Sequence, residues 1–385
     1  MDYSRQPLAF KLRKAMRYIR LYGPTRTRVK IESHYHMKKR YRELPRIADR
    51  QRGGRHVGII GCGKFAYAQI AYYLCKNYGS VIQAAMDVDI HRAASLYERY
   101  DLAYYTDDAA ELIADAAVDT IFVASNHASH AEYAMDALEH GKTVHIEKPH
   151  VVSEDQLARL CAAMATSSGR VALGFNRPGS EIGSTIKMFL ESQSGPAVLN
   201  WFVAGHEIPP DHWYYEPAEG GRILGNLCHW TDFVYQMVQP SDRFPIEINP
   251  TRGVEKGADI AVTYTFGDGT IAAITFSAKG HTFEGVKERF SAHRGNVLIV
   301  MDDFRTLDVH LGVRRHRIHK HHRDHGHEQM IRRSYELGRA PRGRGCISAY
   351  VWETGQLFLK TKEAVEQSRP ITVLPFDAAK IGEID

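Results

Sequence analysis

Val57-Gly-Ile-Ile-Gly-Cys-Gly-Lys-Phe-Ala66 joins a β-forming apolar run to a helical pattern through Gly61-x-Gly63-x-x-Ala66. Gly61 permits a tight strand-to-helix turn, Gly63 lets the backbone approach a pyrophosphate, and Ala66 lets the helix pack closely on the strand. The helix start then faces the phosphate charge. Glycines open many strand–helix turns, so the flanking pattern decides the reading.

That pattern alternates. Val57–Ile60, Val81–Met86, Thr120–Ala124, Thr143–Ile146 and Val171–Phe175 read as strands. Between them Phe65–Tyr78, Arg92–Tyr100, Asp107–Ala114, Ala131–His140 and Glu154–Ser167 read as helices. Strands alternating with helices of this length predict a doubly wound parallel sheet, a Rossmann domain over residues 55–176. Beyond Arg177 the rhythm changes. Helix Ile182–Ser192 and strand Ala197–Ala204 lead to a polar, aromatic loop, His206–Gly221, and then a helix, Leu224–Val238. Neighbouring strands follow at Ile260–Phe266, Thr270–Ser277, Glu288–Ser291 and Val297–Met301, with a Gly267-Asp268-Gly269 hairpin turn. A helix over Ile347–Ser368 and the run Ile371–Leu374 close the chain. Residues 177–385 are therefore expected to form an α/β domain with an open, largely antiparallel sheet.

The 385 residues suit two domains, and an apolar fraction of 44% supplies a sizeable core. No apolar run is long enough to span a membrane, and the N-terminus lacks a signal-peptide core. Cys62, Cys75, Cys161, Cys228 and Cys346 are scattered without a CxxC pair. They suggest neither a zinc site nor a disulfide framework, and a reducing cytoplasm is expected. The net charge of +5 is uneven. In residues 1–56, 17 lysines and arginines face 4 acidic residues; in the remainder, 33 face 41. The basic balance thus belongs to an extension, residues 1–54, and a nucleic-acid binder is not indicated.

Within that extension Leu8, Leu12, Ala15, Met16 and Ile19 recur at helical spacing among Lys11, Arg13, Lys14, Arg17 and Arg20. This is a basic amphipathic helix ended by Gly23-Pro24, and Lys38-Lys39-Arg40-Tyr41-Arg42 follows. Such an arm can pack on its own body or a subunit partner, or make peripheral contact with anionic lipid or polymer.

Asp87 lies at the end of the second strand, about 25 residues after the glycine turn. A carboxylate there accepts ribose hydroxyls and repels a 2′-phosphate, which favours NAD; His91-Arg92 nearby keeps NADP as the alternative. Glu147-Lys148-Pro149 follows a buried-type strand, at the edge of the sheet where ligands bind. A positively charged nicotinamide ring nearby would ease proton exchange between Lys148 and a substrate hydroxyl. In the loop His206–Gly221, the faces of Trp213 and Tyr214 suit stacking on a sugar ring; a subunit interface is the alternative. Arg314–His327 carries six histidines among arginines and reads as a solvated loop, with a phosphorylated substrate or a metal as rivals.

These blocks, in this order, resemble the Gfo/Idh/MocA family, the relatives of glucose–fructose oxidoreductase and inositol dehydrogenase. Val57–Ala66, Asp87, Ser125–Glu132, Gly141–Pro149, Gly174–Arg177 and Glu219–Asp232 carry the resemblance, which covers roughly residues 55–375. It implies a nicotinamide cofactor held by Gly61, Cys62, Gly63, Lys64, Phe65, Asp87, Ser125, His130, Glu147 and Lys148. It also implies a sugar or polyol substrate, free or nucleotide-linked, and oligomers built through the open sheet. Lys148 and His229 match the family's active-site lysine and histidine; Arg177, Trp213, Tyr214, Asn226 and Asp232 would contact substrate. No metal is implied. One departure stands out: many polyol-oxidising members carry Asp four residues before the histidine, where this chain has Gly225. The Gly-Gly-Arg-Ile-x-Gly-x-x-Cys-His pattern instead resembles a subgroup of polysaccharide pathways. The missing carboxylate keeps two rivals in view. One is an NAD-dependent lyase or glycosidase with transient oxidation; the other is a dinucleotide-binding protein without catalysis.

Overall fold

The computed structural model describes residues 6–47, 53–209, 211–251, 259–279, 285–340 and 348–377. The chain begins with α1 (Leu8–Tyr22), α2 (Pro24–His36) and β1 (Val57–Ile60), then a π-helical turn (Ala66–Ala71) that runs into α3 (Tyr72–Tyr78). It continues through β2 (Ile82–Met86), α4 (Ile90–Tyr100), β3 (Tyr104–Thr106), α5 (Ala109–Ala114), β4 (Thr120–Val123), α6 (His127–Glu139), β5 (Thr143–Ile146), α7 (Glu154–Thr166) and β6 (Val171–Leu173). Next come α8 (Glu181–Glu191), β7 (Val198–Ala204) and a second π-helical turn (Ile223–Leu227) leading into α9 (Cys228–Met237). Then follow β8 (Ile246–Pro250), β9 (Ile260–Thr265), β10 (Ile271–Ser277), β11 (Lys287–Arg294), β12 (Val297–Asp302), β13 (Thr306–Leu311) and β14 (Arg314–His319). The last elements are α10 (His327–Arg339), α11 (Ala349–Gln367) and β15 (Ile371–Val373).

The described residues form two compact units. Within the described residues, one draws on Thr25–Gly174 and His327–Trp352, with Asp377; the other draws on Gln6–Pro24, Phe175–Gly326 and Glu353–Phe376. The first holds a six-stranded, all-parallel sheet in the order β3-β2-β1-β4-β5-β6. Strands β1, β4 and β5 are buried along their whole length, as strands covered by helices on both faces must be. This is the doubly wound Rossmann arrangement that the alternating pattern predicts.

The second unit holds a nine-stranded sheet, β14-β13-β12-β11-β7-β10-β9-β8-β15. Strands β7 and β10 pair in parallel, and every other neighbouring pair is antiparallel. In β7, Leu199, Trp201 and Val203 point into the core while Val198 and Phe202 remain outside, the alternation of a sheet covered on one face. Trp201 packs among Phe233, Phe290 and Phe304.

Several elements depart from the sequence reading. Pro24 does not merely end α1: it is the first residue of α2, where its missing N–H costs nothing. Arg314–His319, expected in a solvated loop, is the edge strand β14, hydrogen-bonded along β13. Its polar side chains hide it from a periodicity search, yet Arg315 and Arg317 both pair with Asp308 on β13. Residues 327–340 and 348–352, placed by sequence with the C-terminal segment, pack with the Rossmann unit. There Ser334 Oγ of α10 lies 2.8 Å from His145 Nδ1 of β5. The end of α1 is tied into the mixed-sheet unit: Arg323 N–H donates to the Leu21 carbonyl (2.7 Å), and its guanidinium donates to Tyr22 Oη (3.1 Å). No described helix is long and apolar enough to cross a membrane.

After β5, His150 is fully buried, its Nε2–H donating to the Val351 carbonyl (3.0 Å). Burial pushes the imidazole down to about 3. The folded state therefore keeps it neutral, while the unfolded chain takes up a proton below its ordinary value of about 6.5. The stabilisation is complete above pH 6.5 and is lost as the pH falls. Thermal unfolding followed by circular dichroism should show the midpoint falling between pH 7 and pH 5, and His150→Asn should flatten that slope.

Candidate active site

The parallel register brings the carboxyl ends of the Rossmann strands level. Ile60 of β1 pairs with Met86 of β2 and Val123 of β4, and Val123 pairs with Ile146 of β5. Gly61, Asp87, Ala124 and Glu147 are the next residues on their strands and so share one edge, with Lys148 one step beyond. This edge, beside the switch in strand order at β1, is where such sheets bind ligands.

Gly61 has φ +88°, and a Cβ there would lie 2.5–2.7 Å from the backbone of Ala124 and Ser125. Only glycine fits. Around Gly63 the opposite holds: an added Cβ would meet no atom within 4 Å. The helix start at Lys64 and Phe65 thus faces open space with room for a pyrophosphate, so the residues present fit a dinucleotide. Lys64 is exposed and Phe65 half-buried, its ring 5.7 Å from His327. Cys62 is turned inward. Its Sγ lies 3.3 Å from the Met86 carbonyl, burial raises its thiol well above the ordinary range, and its N–H donates to Asp87 Oδ2 (2.7 Å).

Asp87 is 6% exposed. Its Oδ1 also accepts from the Asp89 N–H (2.9 Å), which leaves further acceptor positions for ribose hydroxyls. Arg92, the residue that keeps a 2′-phosphate in play, pairs with Asp89 (3.3 Å) and Asp87 (3.9 Å). The extension reaches the same corner, which the sequence does not reveal. His36, the last residue of α2, lies 2.6 Å from the Cys62 carbonyl and 2.9 Å from Ser95 Oγ. Burial lowers its pKa, so a neutral ring donates to the carbonyl and accepts from the hydroxyl. Arg40 pairs with Asp89 (3.0 Å), and Tyr41 N–H donates to His91 Nδ1 (3.2 Å).

Toward β5, His130 and Glu147 brace the edge. The buried His130 ring lies between the Pro149 carbonyl (2.8 Å) and the Ser125 carbonyl (3.2 Å), and burial keeps it neutral. Ser125 itself is half-buried, its hydroxyl 2.8 Å from Ser129 Oγ. Glu147 accepts from His145 (3.1 Å), and Gly174 packs so closely that a Cβ would meet its carboxyl at 2.8 Å. Lys148 is half-buried, and its bond to Pro149 is cis.

In the mixed-sheet unit, His229 lies on the first turn of α9, half-buried, with Phe175 edge-on at 6.4 Å. Asn226 lies on the π-helical turn before it, its Oδ1 buried without a hydrogen-bond partner. Such turns recur at functional sites because they shift side chains out of the regular helical phase. Asp232 is fully buried and accepts twice from the Gln236 amide (2.9 and 3.1 Å). Trp213 is exposed and Tyr214 half-buried on a short 3₁₀ turn, their rings 4.5 Å apart and edge-on.

Arg177 has a partner that sequence reading misses. Its Nε donates to Glu288 Oε1 (2.6 Å), and its guanidinium lies 4.8 Å over Trp230. Trp230 Nε1–H donates to the same oxygen (2.7 Å), and His325 lies 2.9 Å from Glu288 Oε2. Burial would raise the Glu288 carboxyl; Arg177 and His325 outweigh it and hold it well below the usual carboxylate range. The available signal was alternation: Glu288 shares the core face of β11 with Phe290, Ala292 and Arg294, and a carboxylate there needs a partner. His325 belongs to the segment expected to be a solvated loop. Among the described residues no group of His, Cys, Asp and Glu is arranged to hold a metal ion.

Residues 55–175 match the family model described as "Oxidoreductase family, NAD-binding Rossmann fold". Inositol 2-dehydrogenase of Burkholderia multivorans is 32% identical over 139 residues, which cover 35% of this chain and 41% of that protein. "Uncharacterized oxidoreductase YrbE" of Bacillus subtilis is 26% identical over 229 residues, 56% of this chain and 65% of that protein. The inositol dehydrogenase match thus spans about two fifths of the relative's length. Among solved structures, a levoglucosan dehydrogenase in complex with NADH superposes with a TM-score of 0.71 at 16% identity, over 84% of this chain and all of that one. At that identity the likeness is one of fold.

The contrast between Gly61 and Gly63 is testable. Gly63→Val fills only open space, so its unfolding free energy should change by less than about 1 kcal/mol. It should weaken NADH binding by roughly tenfold or more in a fluorescence titration, because the side chain occupies the cradle.

Proposed function

We propose, because residues 55–175 belong to the Gfo/Idh/MocA oxidoreductase family with its NAD-binding Rossmann fold, that this protein is a nicotinamide-dependent dehydrogenase. It acts on a hydroxyl-bearing carbon of a sugar or sugar derivative. The observation that carries the reading is Lys148 on the ligand-binding edge, two strands from the glycine cradle and so about 10 Å along the sheet. NAD, when bound, exchanges a hydride with the substrate carbon. Gly61, Gly63, Lys64 and Phe65 hold its phosphates, and Asp87 its adenosine ribose. His130 and Glu147 act as positioning residues that fix the Ser125 loop and the Lys148-Pro149 turn.

Lys148 is the group that takes the hydroxyl proton as the carbonyl forms and returns it in the reverse direction. His229 and Asn226 hydrogen-bond substrate hydroxyls, and Trp213 and Tyr214 offer ring faces to the sugar. Asp232 and Arg177 support that surface from beneath it, each already engaged by a neighbouring side chain. A cytoplasmic site of action agrees with the four free cysteines among the described residues.

The protein works as a homo-oligomer built on the outer face of the nine-stranded sheet. Val198 and Phe202 of β7, Ile271 of β10, and Leu298 and Val300 of β12 are each about half exposed there. Exposed apolar side chains on one sheet face, here interleaved with Arg289, Ser291 and His293 of β11, suit an interface. On α1, Leu8, Leu12 and Met16 stay exposed among basic residues, a surface suited to peripheral contact with anionic lipid.

Two measurements check these assignments. Lys148→Ala should lower turnover on an oxidised sugar by roughly 10²–10⁴-fold while NADH still binds; undiminished turnover removes Lys148 from the chemistry. Phe202→Glu combined with Val300→Glu should shift the sedimentation velocity profile to monomer, and an unchanged profile rejects this face as the interface.

A further inference from the structure

Two arginines of the mixed-sheet unit are buried to nearly the same degree, Arg177 at 6% and Arg222 at 5% exposure. They flank one aromatic pair. Arg177 lies over Trp230, Trp230 packs on Phe276 at 5.5 Å, and Arg222 lies over Phe276 at 5.1 Å. Their charges are treated differently. Arg177 has Glu288. Among the described residues no carboxylate pairs with Arg222, and its Nε and Nη2 are buried without a hydrogen-bond partner. A buried cation left in that state is destabilising unless an anion completes it.

The surroundings keep space for this guanidinium. A Cβ on Gly205 would come within 3.0 Å of Arg222 Nη2 and 2.6 Å of the Phe276 ring. Gly205 and Arg222 are also the two ends of the aromatic loop 206–221. The loop leaves the sheet at one, carries the exposed Trp213, and returns at the other. The unpaired guanidinium thus sits at the base of the loop that offers its rings to a sugar. Asn226, one helical turn on, adds a buried amide oxygen without a partner.

We infer that Arg222 is the binding residue for a carboxylate on the substrate, so that the sugar is a uronic acid or a derivative of one. A guanidinium fork matches a carboxylate in two parallel hydrogen bonds. Charge favours carboxylate over phosphate: Glu288 already neutralises Arg177, which leaves one positive charge. A phosphate monoester carries nearly two negative charges near neutral pH. The inference rests on the dehydrogenase reading for the identity of the reaction, but the binding itself can be measured without turnover.

The 385-residue protein with NAD is assayed for NADH formation on glucuronate, galacturonate, glucose, galactose and glucose 6-phosphate. A uronate should be preferred over its neutral sugar by roughly tenfold or more in kcat/KM. Arg222→Met should bring that ratio close to one, and Arg222→Lys should restore part of it; NADH binding by each variant shows that it has folded. In parallel, calorimetric titration of the protein–NADH complex should show uronate binding that Arg222→Met weakens and neutral sugar does not match. If no sugar is oxidised yet uronate binds through Arg222, the dehydrogenase reading fails and the carboxylate site stands. Equal preference for neutral and acidic sugars, preference for the phosphate, or a ratio indifferent to Arg222→Met overturns the site.

Discussion

Backbone atoms of Ala124 and Ser125 press against Gly61 so closely that a single methyl group would not fit. This contact joins the turn after β1 to the loop after β4, the two strands between which the sheet order reverses. Much of the Rossmann unit's chemistry follows from it. The turn can be tight only because Gly61 adopts a positive φ, and the tight turn delivers the Cys62 N–H to Asp87. With that carboxylate fixed, Asp89 and Arg92 fall into place around it. On the other side, the His130 ring packs between the carbonyls of Ser125 and Pro149, beside the lysine that precedes the proline. The crevice at the sheet's edge is a consequence of backbone packing before any side chain contributes.

The second unit is organised by charge rather than by backbone. Glu288 sits on the core face of β11, where an unpaired carboxylate would be ruinous, and three side chains gather on it: Arg177 and Trp230 donate to Oε1, and His325 lies 2.9 Å from Oε2. These come from a 3₁₀ turn, from α9 and from the strand-to-helix connection before α10. One buried anion therefore ties together three separate segments and orients α9, which carries His229. Removing one partner of such a cluster is costly because the others are left charged or unsatisfied. Against this network Arg222 is conspicuous: it lies over the Phe276 ring, and among the described residues no carboxylate pairs with it.

The basic extension has two different fates. Helix α2 and the residues after it belong to the Rossmann unit, where His36, Arg40 and Tyr41 line the Asp87–His91 corner. Lys39 and Arg40 pair with Glu98 and Asp89, and Glu32 of α2 pairs in turn with Arg99; exposed pairs of this kind contribute little stability. Helix α1 keeps Leu8, Leu12, Met16 and Ile19 exposed, and its end is tied down by Leu21, Tyr22 and Arg323.

What could be read from residues alone was whatever short-range chemistry controls. The glycine turn, the alternation of strand and helix, the Gly267–Gly269 hairpin and the position of Lys148 after a buried strand depend on neighbours within a few residues. Each was legible for that reason. Pro24 misled because one residue can both end a helix and begin one, and β14 was hidden because an edge strand of arginines and histidines has no apolar period. The pairings were beyond reach. Arg177 and Glu288 are 111 positions apart, Tyr22 and Arg323 are 301, and His145 and Ser334 are 189. Nothing local distinguishes the arginine that finds a carboxylate from the arginine that does not. Three-dimensional packing makes that distinction, because burial is what turns an ordinary charge into one that demands a partner.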